Sequence, residues 1–463
     1  MDDEDSDTIS EAVVKNEDVL LSDSKGIELN SCKRIVIYIV LVLIFIIASF
    51  DGGIIAPQVK IMAIDFDDKD EVKVGFYNSI SSIGRGVGGI IFSIIMSKMN
   101  RKYLLVPALL LKGIISLVPL ITVNYYILVV LRCISGIAEV FYSIYIPVWC
   151  DQYGAKNRKT IMITIVQLGS TVGIIIGYGI TIVLEDMKLF DKTGWRTAFG
   201  FQGVLLVVCA IVVLVCCNKI YFSEKFVLTG DCAGIEKEEK AEENKSKFFH
   251  NLFKILCNKI FLFLIITNSV ISFSTSILQF ISDKYMEFIL KIDKNLRFAF
   301  FAILVLVGPV SGYVFGGFLC QKLGGYVTKK AMYMVVISMA ISAISSMLIA
   351  CHQSTPLFMV VSLIFLFSLS TCAVPLSGII IACLDHKIRG DGYSLCGCLV
   401  NLIGVFPSSY VFTLILQAFG KNDSNNDDYQ SAIMAIMPYN FVGLLCTLIA
   451  TKFRVNIDGD LDD

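Results

Sequence analysis

Apolar residues in this chain arrive in blocks of about twenty, each long enough to cross a bilayer at a helical rise of about 1.5 Å per residue. Twelve such blocks can be placed, at about 35–58, 73–97, 103–122, 125–149, 160–184, 196–218, 258–281, 298–320, 331–350, 356–382, 393–418 and 431–451. They predict an all-α integral membrane protein with twelve spans. The longest interruption, about 219–257, holds the charge run IEKEEKAEENKSK and reads as a solvated linker. The chain therefore divides six plus six: a disordered acidic tail at 1–34, one six-helix bundle at 35–218, the linker at 219–257, a second bundle at 258–452 and a short tail at 453–463. Nothing at the start reads as a cleavable signal peptide, because the first apolar run begins only at Ile35 and follows an acidic stretch.

The two halves echo each other. SIIMSKMNRK (Ser93–Lys102) follows the second span and GFLCQKLGG (Gly317–Gly325) follows the eighth, while Asp151 and Asp385 sit where the fourth and tenth spans meet short basic loops. Parallel six-helix repeats of this kind are a standard transporter build. An even span count puts both termini on one side, but the loops of the two sides carry equal numbers of Lys and Arg, so charge bias does not choose which.

Polar positions inside the apolar blocks carry the chemistry. The fourth span, RCISGIAEVFYSIYIP from Arg132 to Pro147, contains an arginine and a glutamate two helical turns apart, with Gly136 between them on the same face. A charge at mid-bilayer costs about 2.5–3.5 kcal/mol even on the lenient insertion scale, so Arg132 and Glu139 are expected to face a protein-lined cavity. Asp51 in the first span lies at a depth matching Arg132 and is its expected partner, with Glu139 about 10 Å deeper by helical rise. Such a set either binds substrate and carries protons or braces spans 1 and 4 as a static ion-pair network. Arg85, amid glycines in SSIGRGVGGI of the second span, is a second cation for an anionic head group, a second partner for Asp51, or a snorkelling side chain. Lys112 in the third span reads as snorkelling or pairing. The fifth span's Gly169, Gly173 and Gly177 read as a packing face, and Pro375 and Pro407 as kinks or packing devices. The second half offers Asn268, Ser274, Gln279 and Asn401 at mid-span among many Phe and Leu; a cavity charged on one wall and apolar on the other suits an amphiphile, and the same composition suits lipid-facing helices.

Composition narrows the classes. Charged residues are 17% of the 463 and hydrophobic ones 56%, against about a quarter charged in soluble domains. The net charge of −1 gives no field for nucleic acid. Fifteen cysteines, mostly within apolar runs, have only three histidines beside them and no metal-ligand spacing, so they read as packing residues; Cys216–Cys217 is a candidate palmitoylation pair. No nucleophile–base pair or phosphate-binding loop stands out, so neither an enzyme nor a cofactor is expected. Glu17-Asp18-Val19-Leu20-Leu21 has the form of an acidic dileucine sorting signal.

With SKMNRK after the second span, the six-plus-six pattern resembles the major facilitator superfamily, whose loop there reads Gly-x-x-x-Asp-Arg-x-Gly-Arg-Lys. Ser97 stands for the aspartate and Ser93 for the first glycine, followed by Lys98, Arg101 and Lys102; Gln321, before Lys322, stands for the matching aspartate in the second half. In the family that aspartate helps latch the inner gate. Arg132, Gly136, Glu139, Tyr142, Ser143 and Pro147 resemble the fourth helix of the Spinster branch; GWRTAFGFQG (Gly194–Gly203) is similar to its sixth helix and RGDGYSLCGCLVNLIGVFPSSY (Arg389–Tyr410) to its eleventh. The resemblance implies a monomeric, proton-coupled secondary transporter of a lysophospholipid or related amphiphile, in an endolysosomal or plasma membrane with cytosolic termini. It assigns proton coupling to Asp51 and Glu139, and substrate binding to Arg132, Glu139 and Tyr142, with Arg85 added as this chain's own departure. The competing expectations are a small organic anion carrier of the same superfamily, and a non-transporting sensor or membrane chaperone on a transporter scaffold.

Overall fold

The computed structural model describes residues 31–66, 71–96, 101–122, 124–153, 159–187, 193–216, 255–325, 328–351, 354–384, 389–419 and 426–459. All regular structure in them is helical. Among the described residues, eleven helical segments are long and apolar enough to cross a membrane. The second span, Glu71–Met96, matches them in length at 26 residues but is diluted by Lys73, Asn78, Arg85 and several serines. The proposed linker at 219–257 falls mostly outside the described residues.

The spans pack in two matching sets. The second lies against the fourth (Tyr125–Tyr153), the third (Arg101–Leu117) against the fourth and sixth (Gly194–Cys216), and the first against the fifth (Lys159–Met187). Six spans later each pairing recurs. The eighth (Lys294–Lys322) lies against the tenth (Thr355–Ala382), the ninth (Lys329–Cys351) against the tenth and twelfth (Tyr439–Gly459), and the seventh (Lys259–Phe288) against the eleventh. The second also meets the eleventh and the fifth meets the eighth, which joins the two sets with the same symmetry. Exposed Val36, Ile39, Leu111, Ile114, Val314 and Phe318 give the outer faces the apolar surface that lipid requires.

Two spans depart from regular helix. The eleventh changes from α-helix (Arg389–Leu399) to a π-helical turn at Val400–Val405 before resuming at Phe406–Phe419. Pro407 follows that turn and has no N–H to donate back into it. The first span ends as an α-helix at Ala48, restarts for one turn at Asp51–Ile54, narrows to a 3-10 turn at Ala56–Gln58 around Pro57, and resumes at Val59–Asp65. The Gly52-Gly53 pair and Pro57 explain the break, since they are the residue types that hold helix least well. The fifth span seats against it through glycines: a Cβ on Gly173 would lie 2.2 Å from the Ile46 carbonyl oxygen, and one on Gly177 equally close to that of Phe50.

Candidate functional site

At the break in the first span two side chains reach backbone oxygens: Ala48 O, and Ile47 O, which also accepts from Phe50 N–H. Gln202 of the sixth span donates from Nε2 to Ile47 O (3.0 Å) and Ala48 O (3.2 Å). Lys112 of the third span donates from Nζ to Ala48 O at 3.0 Å. The lipid-facing side of the third span carries Leu111 and Ile114, and Lys112 points the other way, fully buried.

Around Lys112 the charged side chains form one continuous row. Its Nζ lies 3.3 Å from Asp51 Oδ2, 3.0 Å from Glu139 Oε2 and 2.9 Å from the Tyr142 hydroxyl oxygen. Asp51 Oδ2 also accepts from Arg132 Nη1 at 3.0 Å. At the other end, Arg85 Nη1 donates to Glu139 Oε1 at 3.1 Å, and its Nη2 to Ser82 Oγ at 2.8 Å. The order is Arg132, Asp51, Lys112, Glu139, Arg85, with signs alternating along its length. The expected Asp51–Arg132 pair is present. The second cation on Asp51 is Lys112, and Arg85 pairs with Glu139 instead.

Close backbone approach makes the Arg85 end possible. A Cβ on Gly84 would lie 2.0 Å from Cys133 O, and one on Gly136 2.0 Å from Ser81 O, so the second and fourth spans touch along their backbones beside Arg85. The row is graded in exposure: Lys112 is sealed, the Arg132 side chain is 7% exposed, Glu139 18% and Arg85 29%. The Arg132 guanidinium is enclosed between the rings of Tyr77 (5.6 Å) and Phe199 (5.4 Å), and Tyr142 is buried behind Lys112. Arg85 and Glu139 are thus the members that open outward from the row. Next to Arg85, Gly86 meets the eleventh span: the Leu402 side chain in the π-helical turn and the backbone oxygen of Cys398 just before it. Among the described residues, no charged side chain lies at the middle of a span in the second half; Asp283 and Lys284 sit toward the end of the seventh.

The junction between the two sets is closed on the side opposite the start of the first span. Lys284 pairs with Glu71 at 2.5 Å, Lys294 with Glu185 at 3.5 Å, Asn78 donates to Ser409 Oγ at 2.8 Å, and the Tyr178 hydroxyl donates to Asp283. Arg297 holds Glu287 at 2.7 Å beside them. Tyr178 also stacks on Phe301 with centroids 4.4 Å apart. A cavity of about 160 Å³ remains among Lys60, Glu185, Asp283 and Arg297. The sequence alone does not signal this seal, because charges near span ends ordinarily read as solvated. Joining its two sides covalently should hold it shut: in a chain carrying Asn78→Cys and Ser409→Cys, oxidation is expected to stop substrate flux and reductant to restore it, as read by uptake in proteoliposomes.

The gate-motif positions are less informative. Ser97 and Lys98 lie outside the described residues, and Arg101 begins the third span. Lys102 donates from Nζ to Leu214 O on the sixth span at 2.8 Å. Gln321 and Lys322 are exposed at the end of the eighth.

The sequence matches the Major Facilitator Superfamily over residues 41–452. The chain belongs to this superfamily. It is a multi-pass membrane transporter protein and not an enzyme. Its fold is similar to that of a bacterial homologue of the human lysosomal transporter Spinster in its inward-facing, unoccupied conformation, with a TM-score of 0.72 over 91% of this chain and 98% of that one at 13% identity. By sequence it is similar to facilitated glucose transporter member 10 of solute carrier family 2 from Danio rerio, 30% identical over 93 residues, 20% of this chain and 18% of that protein. A protein named "Probable polyol transporter 6" from Arabidopsis thaliana is 25% identical over 179 residues, 38% of this chain and 35% of the relative. These matches span about a third or less of the curated relatives' own length. The Spinster likeness is one of fold, while the relatives found by sequence are named for sugars and polyols.

Proposed function

We propose that the chain is a monomeric secondary transporter that works by alternating access and moves a small amphiphile with an anionic group, a lysophospholipid or a related molecule, together with a proton. The observation that carries this reading is the charge count of the row: Arg85, Lys112 and Arg132 against Asp51 and Glu139, three cations to two carboxylates, a surplus of +1 in low dielectric. A buried surplus charge calls for a counter-charge. Arg85 is the cation open enough to meet one, and its planar fork suits a phosphate or carboxylate. Leu402 of the eleventh span lies against Gly86, next to Arg85, and in this reading is where the apolar part of an amphiphile meets the second half.

In this reading Arg85 and Glu139 meet the substrate, while Arg132 and Tyr142 hold the row behind them. A proton on Glu139 frees Arg85 and raises the surplus to +2, so proton and anion bind better together, and linkage makes the effect mutual. Asp51, assigned to proton coupling with Glu139, is held between two cations, Lys112 and Arg132. The bundles at 35–218 and 258–452 rock about the fixed site, joined by 219–257, with both termini cytosolic in an endolysosomal or plasma membrane.

In proteoliposomes, an inward pH gradient is expected to accelerate uptake of a labelled lysophospholipid, and Glu139→Gln to abolish that response. Wild-type, pH-sensitive uptake in Glu139→Gln removes the coupling role. The named relatives favour a second reading, a sugar or polyol as substrate. Hexose and polyol competitors decide between the two: inhibition by them and none by lysophospholipid overturns the amphiphile reading. Inhibition by short organic anions alone assigns the Arg85 site to a small anion, and binding without flux assigns the fold to a sensor.

A further inference from the structure

Lys112 has more acceptors than it has protons to give. An ammonium carries three donors, yet Ala48 O, Asp51 Oδ2, Glu139 Oε2 and the Tyr142 hydroxyl all lie within 3.3 Å of its Nζ. Asp51 is the most distant of the four, at 3.3 Å. The four belong to two spans with different freedom. Ala48 and Asp51 flank the break in the first span, whereas Glu139 and Tyr142 sit on the continuous helix of the fourth. Lys112 is therefore shared between a carboxylate that opens outward and the discontinuity of a neighbouring span.

We propose that Lys112 is a positioning residue that transmits the protonation state of Glu139 to the break in the first span; this rests on the reading that Glu139 takes up a proton. With Glu139 ionised, the four acceptors compete for three protons and Lys112 is drawn toward the fourth span. When Glu139 binds a proton it loses its charge and becomes a weaker acceptor, holding the ammonium only through a neutral carbonyl oxygen. Lys112 then settles on Ala48 O and Asp51, tightening the broken segment against the third span and loosening Asp51 from Arg132. The other groups facing this cluster are Arg85 and Tyr77 on the second span, Arg132 on the fourth and uncharged Gln202 on the sixth. Glu139 is the carboxylate on Lys112 that opens outward, so its sharing of Lys112 is the contact that a proton from outside the row changes.

The test reads the break itself. Spin labels at Val36→Cys and Ile64→Cys, both exposed and on either side of it, report its geometry by pulsed electron resonance in the full chain in lipid nanodiscs with the native reactive cysteines replaced. The inter-label distance distribution is expected to shift between high and low pH, and Glu139→Gln to hold the low-pH distribution at both. Lys112→Met is expected to lose the pH response and Lys112→Arg to retain it. If Lys112→Met does not fold, Tyr142→Phe, which removes one competing acceptor, is expected to shrink the shift. A full wild-type shift in the Lys112 or Tyr142 variant, or no response to pH and Glu139→Gln in the parent, overturns the inference. A shift in the distances with pH-insensitive lysophospholipid uptake leaves it standing and removes proton coupling; pH-driven uptake without a shift does the reverse.

Discussion

Asp51→Ala is expected to destabilise the protein by about 3–5 kcal/mol, the scale for stripping the partner from a buried ion pair. Asp51 is the one carboxylate shared by two largely buried cations, at 3.3 Å from Lys112 and 3.0 Å from Arg132. Without it the row holds three cations against Glu139 alone, and Arg132 sits between two aromatic rings with no anion in contact. Arg132→Ala should cost less, because Asp51 retains Lys112. Thermal unfolding followed by tryptophan fluorescence in detergent gives the ranking. An Asp51→Ala protein as stable as its parent means that the row does not hold the first, third and fourth spans together.

The second large effect is on recognition. Arg85→Gln is expected to raise the KM for an anionic lysophospholipid about 10- to 100-fold, since a hydrogen bond to a charged group is worth about 1.5–3 kcal/mol and each 1.4 kcal/mol is about tenfold. Stability should change little, because the Arg85 side chain is 29% exposed and Glu139 keeps Lys112. Arg85→Lys should fall between the two, retaining charge but losing the two-pronged donor. Initial uptake rates over a concentration series separate KM from the maximal rate. An unchanged KM in Arg85→Gln moves the anion site elsewhere.

How much of this was legible in the chain depends on how unusual each residue is where it stands. The spans follow from apolar block length, and the Asp51–Arg132 pair from depth, because charges in mid-membrane are too costly to occur without a partner. Lys112 was equally conspicuous, but depth along a helix axis does not show that it reaches both Asp51 and Glu139. That follows from the break in the first span, which brings Ala48 O and Asp51 toward the third span. Asp-Gly-Gly followed by Pro57 was the available signal. The seal on the far side was illegible for the opposite reason. Glu71, Glu185, Asp283, Lys284 and Arg297 lie near span ends, where charges are ordinary, and only packing turns them into contacts, Glu71–Lys284 and Glu185–Lys294 between the two sets and Asp283–Arg297 within the second. The seventh span also runs to Phe288, beyond the expected end near 281, and so carries Asp283 and Lys284 on helix. The degenerate gate motif was visible but carried no geometry, since Ser97 and Lys98 lie outside the described residues.

The central claim is that the surplus cation of the row receives an anionic head group while the second half, at Leu402, receives a tail. Competition between two amphiphiles with the same acyl chain tests it most directly, one a lysophosphatidic acid with an anionic phosphate and the other an uncharged monoacylglycerol, each against uptake of labelled lysophosphatidic acid into proteoliposomes. At least about tenfold stronger inhibition by the phosphate form is expected, as the loss of one charge-assisted contact predicts, and Arg85→Gln should erase the difference. Equal inhibition by the two, or a difference that survives Arg85→Gln, would contradict the account.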